Sequence, residues 1–480
     1  MKKIMVMDYC ERPGSVGGTE QQMIEALQER DNEVLYYPFN SQTTDEEVSE
    51  VIQDHGPREI MWTASKAWRH GAALEKFREI RKLNFWFDDP FMRVEEDGHV
   101  EMLKAASSRS DFEFYSWDSY WSEGMRNEWG VNAKMFHLAA SSDYRAFEDF
   151  EKKPQGKGLS FYGCLHSPAF IKKVMMTLPK FMRLAAEDIE AGLNGNLYEV
   201  NGRTLSWIEL ERKILSGKDT YSHYFNQEWD AMADQRSNFR WIVWAMSKNA
   251  VRVKLLKKAL EVDQVTIFGE SAQRNHANRH ELRWMIGEWD PDKLEIVDLS
   301  NVRGKNLSQF YHYGKLQISA TDPQSVMEGI PYRIFQCGAC GVPLFTDTRP
   351  GWSSVFDDNR DYIRWTSFDE IPDRLSSALN SKSQLKWVAD NLKIKVRERH
   401  MWSHRVDELH VPYKDLSDYF GEQLKTINIM NLKGVKTHAN EETTNQRKEE
   451  VISIPVNLEP ISEGLSDNWK LLAQPVNPIL

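Results

Sequence analysis

Residues 328–347 read E-G-I-P-Y-R-I-F-Q-C-G-A-C-G-V-P-L-F-T-D, from Glu328 to Asp347. Pro331 suits the first position of a helix, where a missing N–H costs nothing. Arg333 and Gln336 lie three apart and share one helix face, while Ile334, Phe335 and Ala339 supply apolar contacts. Gly341 is placed to stop the helix in a left-handed conformation. Val342 to Thr346 then predicts a short buried strand. A brief helix with polar groups at its start, feeding a parallel strand, is an element of open α/β folds and suits an anion or nucleotide.

Working outward, the same alternation fills the chain. In the first half, apolar runs predict strands at Lys3–Met7, Glu33–Tyr37, Glu59–Trp62, Leu83–Phe87, Phe112–Tyr115 and Met135–Leu138. Helices are predicted between them, at Thr19–Arg30, Thr44–His55, Ala72–Arg81 and Ser119–Trp129. Strands alternating with helices at this spacing imply a parallel sheet covered on both faces. Ligands of such sheets sit at the carboxyl ends of the strands. That rule gathers Asp8, the Gly17-Gly18 turn, Thr63, Asp88-Asp89, Trp117-Asp118 and Ala139-Ala140 along one rim. A polar linker, Glu151–Lys157, opens a second series. Its strands are Leu159–Tyr162, Val265–Phe268, Leu294–Val297, Leu316–Ser319 and Tyr362–Trp365, besides the one at Val342–Thr346. Gly163, Cys164 and His166 follow the first of these, and Gly269-Glu270 the second. Residues 185–236 show helical stretches without a clear strand, a helical insertion. Phe239–Glu261 is a basic amphipathic helix, its terminal lysines Lys254, Lys257 and Lys258 complementing the helix dipole. Beyond residue 425 the sequence turns polar and loses periodicity, as a loosely ordered tail does. The expected domains are therefore 1–150, 151–425 with the insertion, and a tail at 426–480.

Bulk properties narrow the function. A chain of 480 residues exceeds one ordinary core. The net charge of −11 argues against general attraction to nucleic acid. No apolar run reaches the ~18 residues of a membrane span, and the first apolar run ends at Asp8, too short for a signal peptide. A cytoplasmic location is expected. The four cysteines include Cys337-Gly-Ala-Cys340, which lacks a second ligand pair for zinc and lies at the wrong end of its helix for a redox motif. Structural packing is the expected role. Asp88-Asp89 is not the spaced D-x-D of metal-dependent glycosyl transfer, and Pro90 follows it directly. No metal site is expected there. The six tryptophans of the first half, Trp62, Trp68, Trp86, Trp117, Trp121 and Trp129, are expected in the core.

Two motifs resemble a known family. Gly17-Gly18-Thr19-Glu20 is similar to the Gly-Gly-x-Glu turn of GT-B glycosyltransferases, and Gly329–Asp347 resembles the R-x-F-E…G-x-P…D core of the CgeB-like (spore maturation) members. Asp357–Trp365 with Asp369-Glu370-Ile371 is similar to a later family segment. The likeness spans about residues 1–420 outside the insertion. It implies an α/β fold of two Rossmann-like domains facing a cleft, and transfer of a sugar from a nucleotide-sugar donor without a resident cofactor. It implies donor contacts from Gly17, Gly18, Gly163, His166, Gly269, Glu270, Tyr332, Arg333 and Gln336, and a sugar contact from Glu328. The chain departs at Gln336, where the family has a ribose-binding Glu. Gln accepts one hydrogen bond and donates another, so the contact survives in altered form.

Such a reaction needs a nucleotide site, stabilisation of the leaving diphosphate and activation of an acceptor hydroxyl. Helix N-termini and basic side chains supply the second without metal. A base belongs on the first-half rim, where Asp88 and Asp89 precede His70 as candidates, with Glu328 opposite. Polysaccharide, protein, small molecule and modified nucleic acid are all open as acceptors. Two other classes fit the pattern. One is a nucleotide-sugar epimerase or phosphorylase, the latter needing a pyridoxal lysine that no motif marks. The other is a non-catalytic binding or scaffold protein, which Gln336 favours.

Overall fold

The computed structural model describes residues 2–9, 18–64, 66–91, 99–145, 158–194, 199–200, 203–204, 233–269, 275–299 and 307–410. The 151–157 linker, most of the expected insertion and the tail lie outside them.

Two six-stranded parallel sheets organise these residues. The first contains β1 (Lys3–Tyr9), β2 (Glu33–Phe39), β3 (Glu59–Thr63), β4 (Arg81–Trp86), β5 (Phe112–Ser116) and β6 (Ala133–Met135), in the order β2-β1-β3-β4-β5-β6. The second contains β7 (Leu159–Tyr162), β10 (Val265–Gly269), β11 (Leu294–Asp298), β12 (Leu316–Ile318), β13 (Leu344–Thr346) and β14 (Ile363–Arg364), in the order β11-β10-β7-β12-β13-β14. A small antiparallel hairpin, β8 (Glu199–Val200) with β9 (Arg203–Thr204), stands apart. Numbered within its own lobe, the second sheet runs 3-2-1-4-5-6, the dinucleotide-binding order. Its strand order reverses between β7 and β12. In the first sheet the reversal falls between β1 and β3. Crevices open at such points, so the topology alone names two places for a ligand.

Local chemistry explains the elements. Thr44 and Glu47 form a reciprocal capping box that starts the helix Asp45–His55, and Gly56, at φ 60°, ends it. The helix Tyr332–Cys340 begins one residue later than expected, with Pro331 as its cap, and Gly341 stops it at φ 70°. Gly338 lies against Val396 and Leu392 of the helix Lys382–Arg399, so closely that a Cβ would collide with Val396. Cys337 and Cys340 are buried and unbridged at that junction, which is packing rather than metal or redox chemistry. The six tryptophans are all buried.

The helix expected over 72–81 is shorter, Gly71–Lys76, because β4 already starts at Arg81, and a 3-10 turn at Lys66–His70 precedes it. After β7 the chain forms two helices, Pro168–Met175 and Lys180–Asn194. Two eight-residue helices, Val100–Ser107 and Arg279–Ile286, carry too few turns to show a periodic signal. The last helix, Trp402–His410, returns to the first lobe. Trp402 N–H donates to Ala140 O at 2.8 Å, Trp402 Nε1 to Gln22 at 2.8 Å, and Arg405 Nε to His137 O at 3.1 Å. Among the described residues no helix is long and apolar enough to cross a membrane.

Candidate active site

At the reversal point of the second sheet, Arg333 projects from the first turn of Tyr332–Cys340 onto the end of β7. Its Nη2 donates to Tyr162 O at 2.5 Å, and its Nη1 donates to the Tyr311 hydroxyl. The guanidinium lies 4.2 Å from the Tyr162 ring centroid and 5.3 Å from that of Tyr311, two rings that stack on each other. Gln336 completes the network. Its Oε1 accepts from Tyr311 and Arg333, and its Nε2 donates to Tyr144 OH at 2.8 Å. Burial raises the pKa of both Tyr144 and Tyr311, so both phenols are neutral at physiological pH.

Beside this network lies a cationic pit. Lys248 and Arg252, one turn apart on the helix Ala233–Leu260, approach Asp322 at 3.3 and 3.6 Å. Burial works to raise the Asp322 pKa, but the two cations and the Trp244 indole, donating at 2.7 Å, hold it below the usual carboxylate range. Arg252 Nη1 also donates to Cys164 O at 2.7 Å. Next to them is a cavity of about 200 Å³, lined among others by Gly163, Cys164, Gly269, Arg279 and Asp298 at the ends of β7, β10 and β11. A Cβ at Gly163 would press on the ends of the Arg252 and Phe161 side chains. His166 is buried, with its ring against Trp241, Trp244 and His276, and its backbone paired with the Asn249 amide. Burial, reinforced by Lys248, lowers its pKa to about 3, so the ring is neutral.

The first lobe presents carboxylates. Glu20, in the first turn of the helix Gly18–Glu29, is buried and accepts from the Thr63 hydroxyl at the end of β3. Burial and then the charge of Asp8 raise its pKa, with Asp88 adding to the effect. Asp8 itself accepts from Tyr36 OH at 3.0 Å. Asp88 is exposed, while Asp89 turns inward and accepts from Phe91 N–H at 2.9 Å. The two neighbours thus point apart. His70 lies elsewhere, buried against Phe39 with Nδ1 3.0 Å from Asp45, so it is not at the rim.

Four contacts join the first-lobe rim to the segment ahead of Arg333. Thr19 Oγ1 lies 2.7 Å from Tyr332 OH. Trp121 Nε1 donates to Gln324 O at 2.9 Å. Asp118 caps the helix Ser119–Trp129 through Tyr120 N–H, and its carboxylate also accepts the backbone N–H groups of Val326, Met327 and Gly329 at 2.7, 3.0 and 3.0 Å. A Cβ at Gly329 would stand 2.8 Å from Asp118 Oδ2, so only glycine admits the carboxylate. Glu328 answers in the other direction, accepting from the N–H and hydroxyl of Ser119.

The structure therefore gathers Glu20, Asp88, Tyr332, Arg333, Gln336, Gly163 and Gly269 around the two reversal points. It turns Asp89 and His166 into their own lobes and commits Glu328 to Ser119. Gly17 and Glu270 lie outside the described residues. Among the described residues no group of three His, Cys, Asp or Glu could hold a metal. Sequence reasoning passed over Lys248, Arg252, Asp322, Tyr144 and Tyr311. The two cations were legible in principle, since they sit four apart on a helix that feeds directly into β10. The tyrosines carry no local motif.

Residues 250–450 match a family model described as glycosyl transferase-like. No curated protein matches the chain. Among solved structures, HepE from Anabaena in complex with UDP-glucose is 12% identical, with a TM-score of 0.52 over 87% of this chain and 100% of that one. The same protein with UDP and glucose gives 12% identity and a TM-score of 0.50, at the same coverage. These likenesses and the two sheet orders agree: the chain has the GT-B fold, and its second lobe carries a glycosyl transferase-like domain.

Proposed function

We propose that the chain is a glycosyltransferase that takes a sugar from a nucleotide-sugar donor, of the uridine diphosphate kind, and places it on an acceptor hydroxyl in the cleft. The observation that carries this reading is the pairing of Lys248 and Arg252 at the reversal point of the second sheet with carboxylates on the opposite rim. Lys248, Arg252 and the start of Tyr332–Cys340 offer positive charge to a leaving diphosphate. Asp88, exposed on the first-lobe rim, is the base in this reading and takes the acceptor proton. Glu20, its pKa raised by burial and by the charge of Asp8, is the carboxyl beside it. With the cationic pair in place, no resident cofactor or metal is needed. HepE, whose structures hold UDP-glucose or UDP and glucose, supports the choice of donor. The R-x-F-Q…G-x-P…D core supports a place among the CgeB-like enzymes.

A second reading, a non-catalytic binder on the same fold, is favoured by Arg333 and Gln336, whose side chains are engaged within the protein. One experiment separates the two. Thermal-shift titration with UDP and UDP-sugars, followed by donor hydrolysis with and without EDTA, should show nucleotide stabilisation and chelator-insensitive release of UDP. Stabilisation without any turnover would favour the binder. Indifference to every nucleotide would sink both.

A further inference from the structure

Three helices of the second lobe finish at the same end of its sheet. Pro168–Met175 leaves the carboxyl end of β7, Ala233–Leu260 turns directly into β10, and Arg279–Ile286 joins β10 to β11. Because these strands are parallel, each helix runs against them and ends beside their amino termini, away from the cavity at the carboxyl ends. At that end the chain turns a corner between Pro168–Met175 and Lys180–Asn194. Buried Met175, Leu178, Phe181 and Met182 hold the corner on the core. Its outer side carries exposed Lys172, Lys173, Met176, Lys180 and Leu184, with half-buried Arg183. Lys172 and Met176 are one turn apart, as are Lys180 and Leu184, so each edge of the corner sets a cation beside an apolar side chain. Trp284, 65% exposed, and Trp289, 52% exposed, stand on the last turn of Arg279–Ile286 and just past it. One exposed apolar residue means little, but four at one end of a lobe form a surface with a use.

The charges at this end are unequal. Glu261, Asp263 and Glu288 are answered by Lys258, Lys315 and Lys293 at 3.1, 3.5 and 4.0 Å. Asp290 is turned onto the N–H of Asp292, and Glu187 opens the next turn of Lys180–Asn194. Lys172, Lys173, Lys180, Arg183 and Lys257 form no ion pair with a described residue. A chain of net charge −11 thus keeps a local group of unmatched cations among exposed apolar side chains. We propose that this end of the second lobe docks on an anionic phospholipid surface. Lys172, Lys173, Lys180, Arg183 and Lys257 meet lipid phosphates, while Met176, Leu184, Trp284 and Trp289 enter the headgroup layer. The negative remainder of the chain is repelled by such a surface, so the attraction also sets the orientation. Nucleic acid offers the same phosphates but nothing for the aliphatic Met176 and Leu184. Docked this way, the strand ends that carry the cavity face away from the bilayer and the pocket stays open. The proposal does not depend on the glycosyl-transfer reading.

The test is sedimentation of the full chain with vesicles of phosphatidylcholine alone or with about 30% phosphatidylglycerol. Partitioning should be at least about tenfold stronger on the anionic vesicles and should fall between about 0.05 and 0.3 M salt. Lys172→Ala with Lys173→Ala should lower it about 30-fold, at about fivefold per cation. Met176→Gln with Leu184→Gln should lower it while leaving the salt dependence in place. All four positions are on the surface, and an unchanged thermal melt shows that the variants fold. Absence of vesicle binding overturns the proposal, as does equal binding to both compositions or binding that the lysine pair does not change. A dimer that Met176→Glu dissolves, without vesicle binding, overturns it in favour of a second copy of this chain. Retention on transfer RNA without vesicle binding overturns it in favour of nucleic acid.

Discussion

Replacing Asp118 by Ala tests whether the lobes are fastened through one carboxylate. Asp118 Oδ2 accepts from Val326, Met327 and Gly329, while Oδ1 accepts from Tyr120 and caps its own helix. Alanine removes both oxygens, so the helix loses its cap and the three loop N–H groups lose their acceptor. Three loop bonds at about 1 kcal/mol each come to roughly 3 kcal/mol. At about 1.4 kcal/mol per tenfold, that is an increase of roughly 100-fold in opening of the 326–329 loop. Amide hydrogen exchange reads this directly. Val326, Met327 and Gly329 should lose about two decades of protection, while the helix Asp45–His55 stays unchanged as an internal control. Protection within threefold of wild type at all three amides would refute the fastening.

Two further substitutions probe the chemistry. Glu20 has a folded pKa above its ordinary 4.5, so its protonated form contributes stability in full below pH 4.5, and that contribution is lost as pH rises through the folded value. Glu20→Gln should therefore gain thermal stability relative to wild type as pH is raised from 4.5 to 8, and a difference that stays flat with pH would refute the buried carboxyl. Gln336→Glu should bind UDP about fivefold more tightly, since a carboxylate still satisfies Tyr311, Arg333 and Tyr144 and offers a ribose hydroxyl a charge-assisted bond worth about 1 kcal/mol more than a neutral one. Calorimetric affinities within twofold of each other would mean that position 336 does not touch the nucleotide.

The architecture was largely legible because it rests on short-range signals. Apolar runs such as Lys3–Met7 and Val265–Phe268 alternate with capped helices, and strand-end logic puts Asp8, Thr63, Asp88 and Asp118 on one rim. What the sequence did not show is where side chains point. Asp88 and Asp89 are adjacent, yet one faces solvent and the other caps a turn, a choice made by Pro90 and the backbone that follows. Gln336 shows the same limit over a longer distance. Its motif neighbours suggested a ligand contact, but its partners Tyr144 and Tyr311 come from 192 and 25 residues away. Periodicity carries no information about such pairs.

The stretch that decided the fold is also where the lobes meet, and this bears on how the site is built. Thr19 reaches Tyr332, Trp121 reaches Gln324, Asp118 takes three N–H groups of the 326–329 loop, and Glu328 returns to Ser119. Each of these bonds joins the first-lobe rim to the segment just ahead of Arg333 and Gln336. The N-terminus of that helix is thus aimed by the other lobe rather than by its own strand alone. Loop N–H groups at a helix start would ordinarily serve an anion. Here a protein carboxylate already holds three of them, while Arg279 lines the cavity and Arg252 stands beside it on Cys164 O. The 326–329 loop therefore shapes the cleft, its N–H groups being taken up by Asp118.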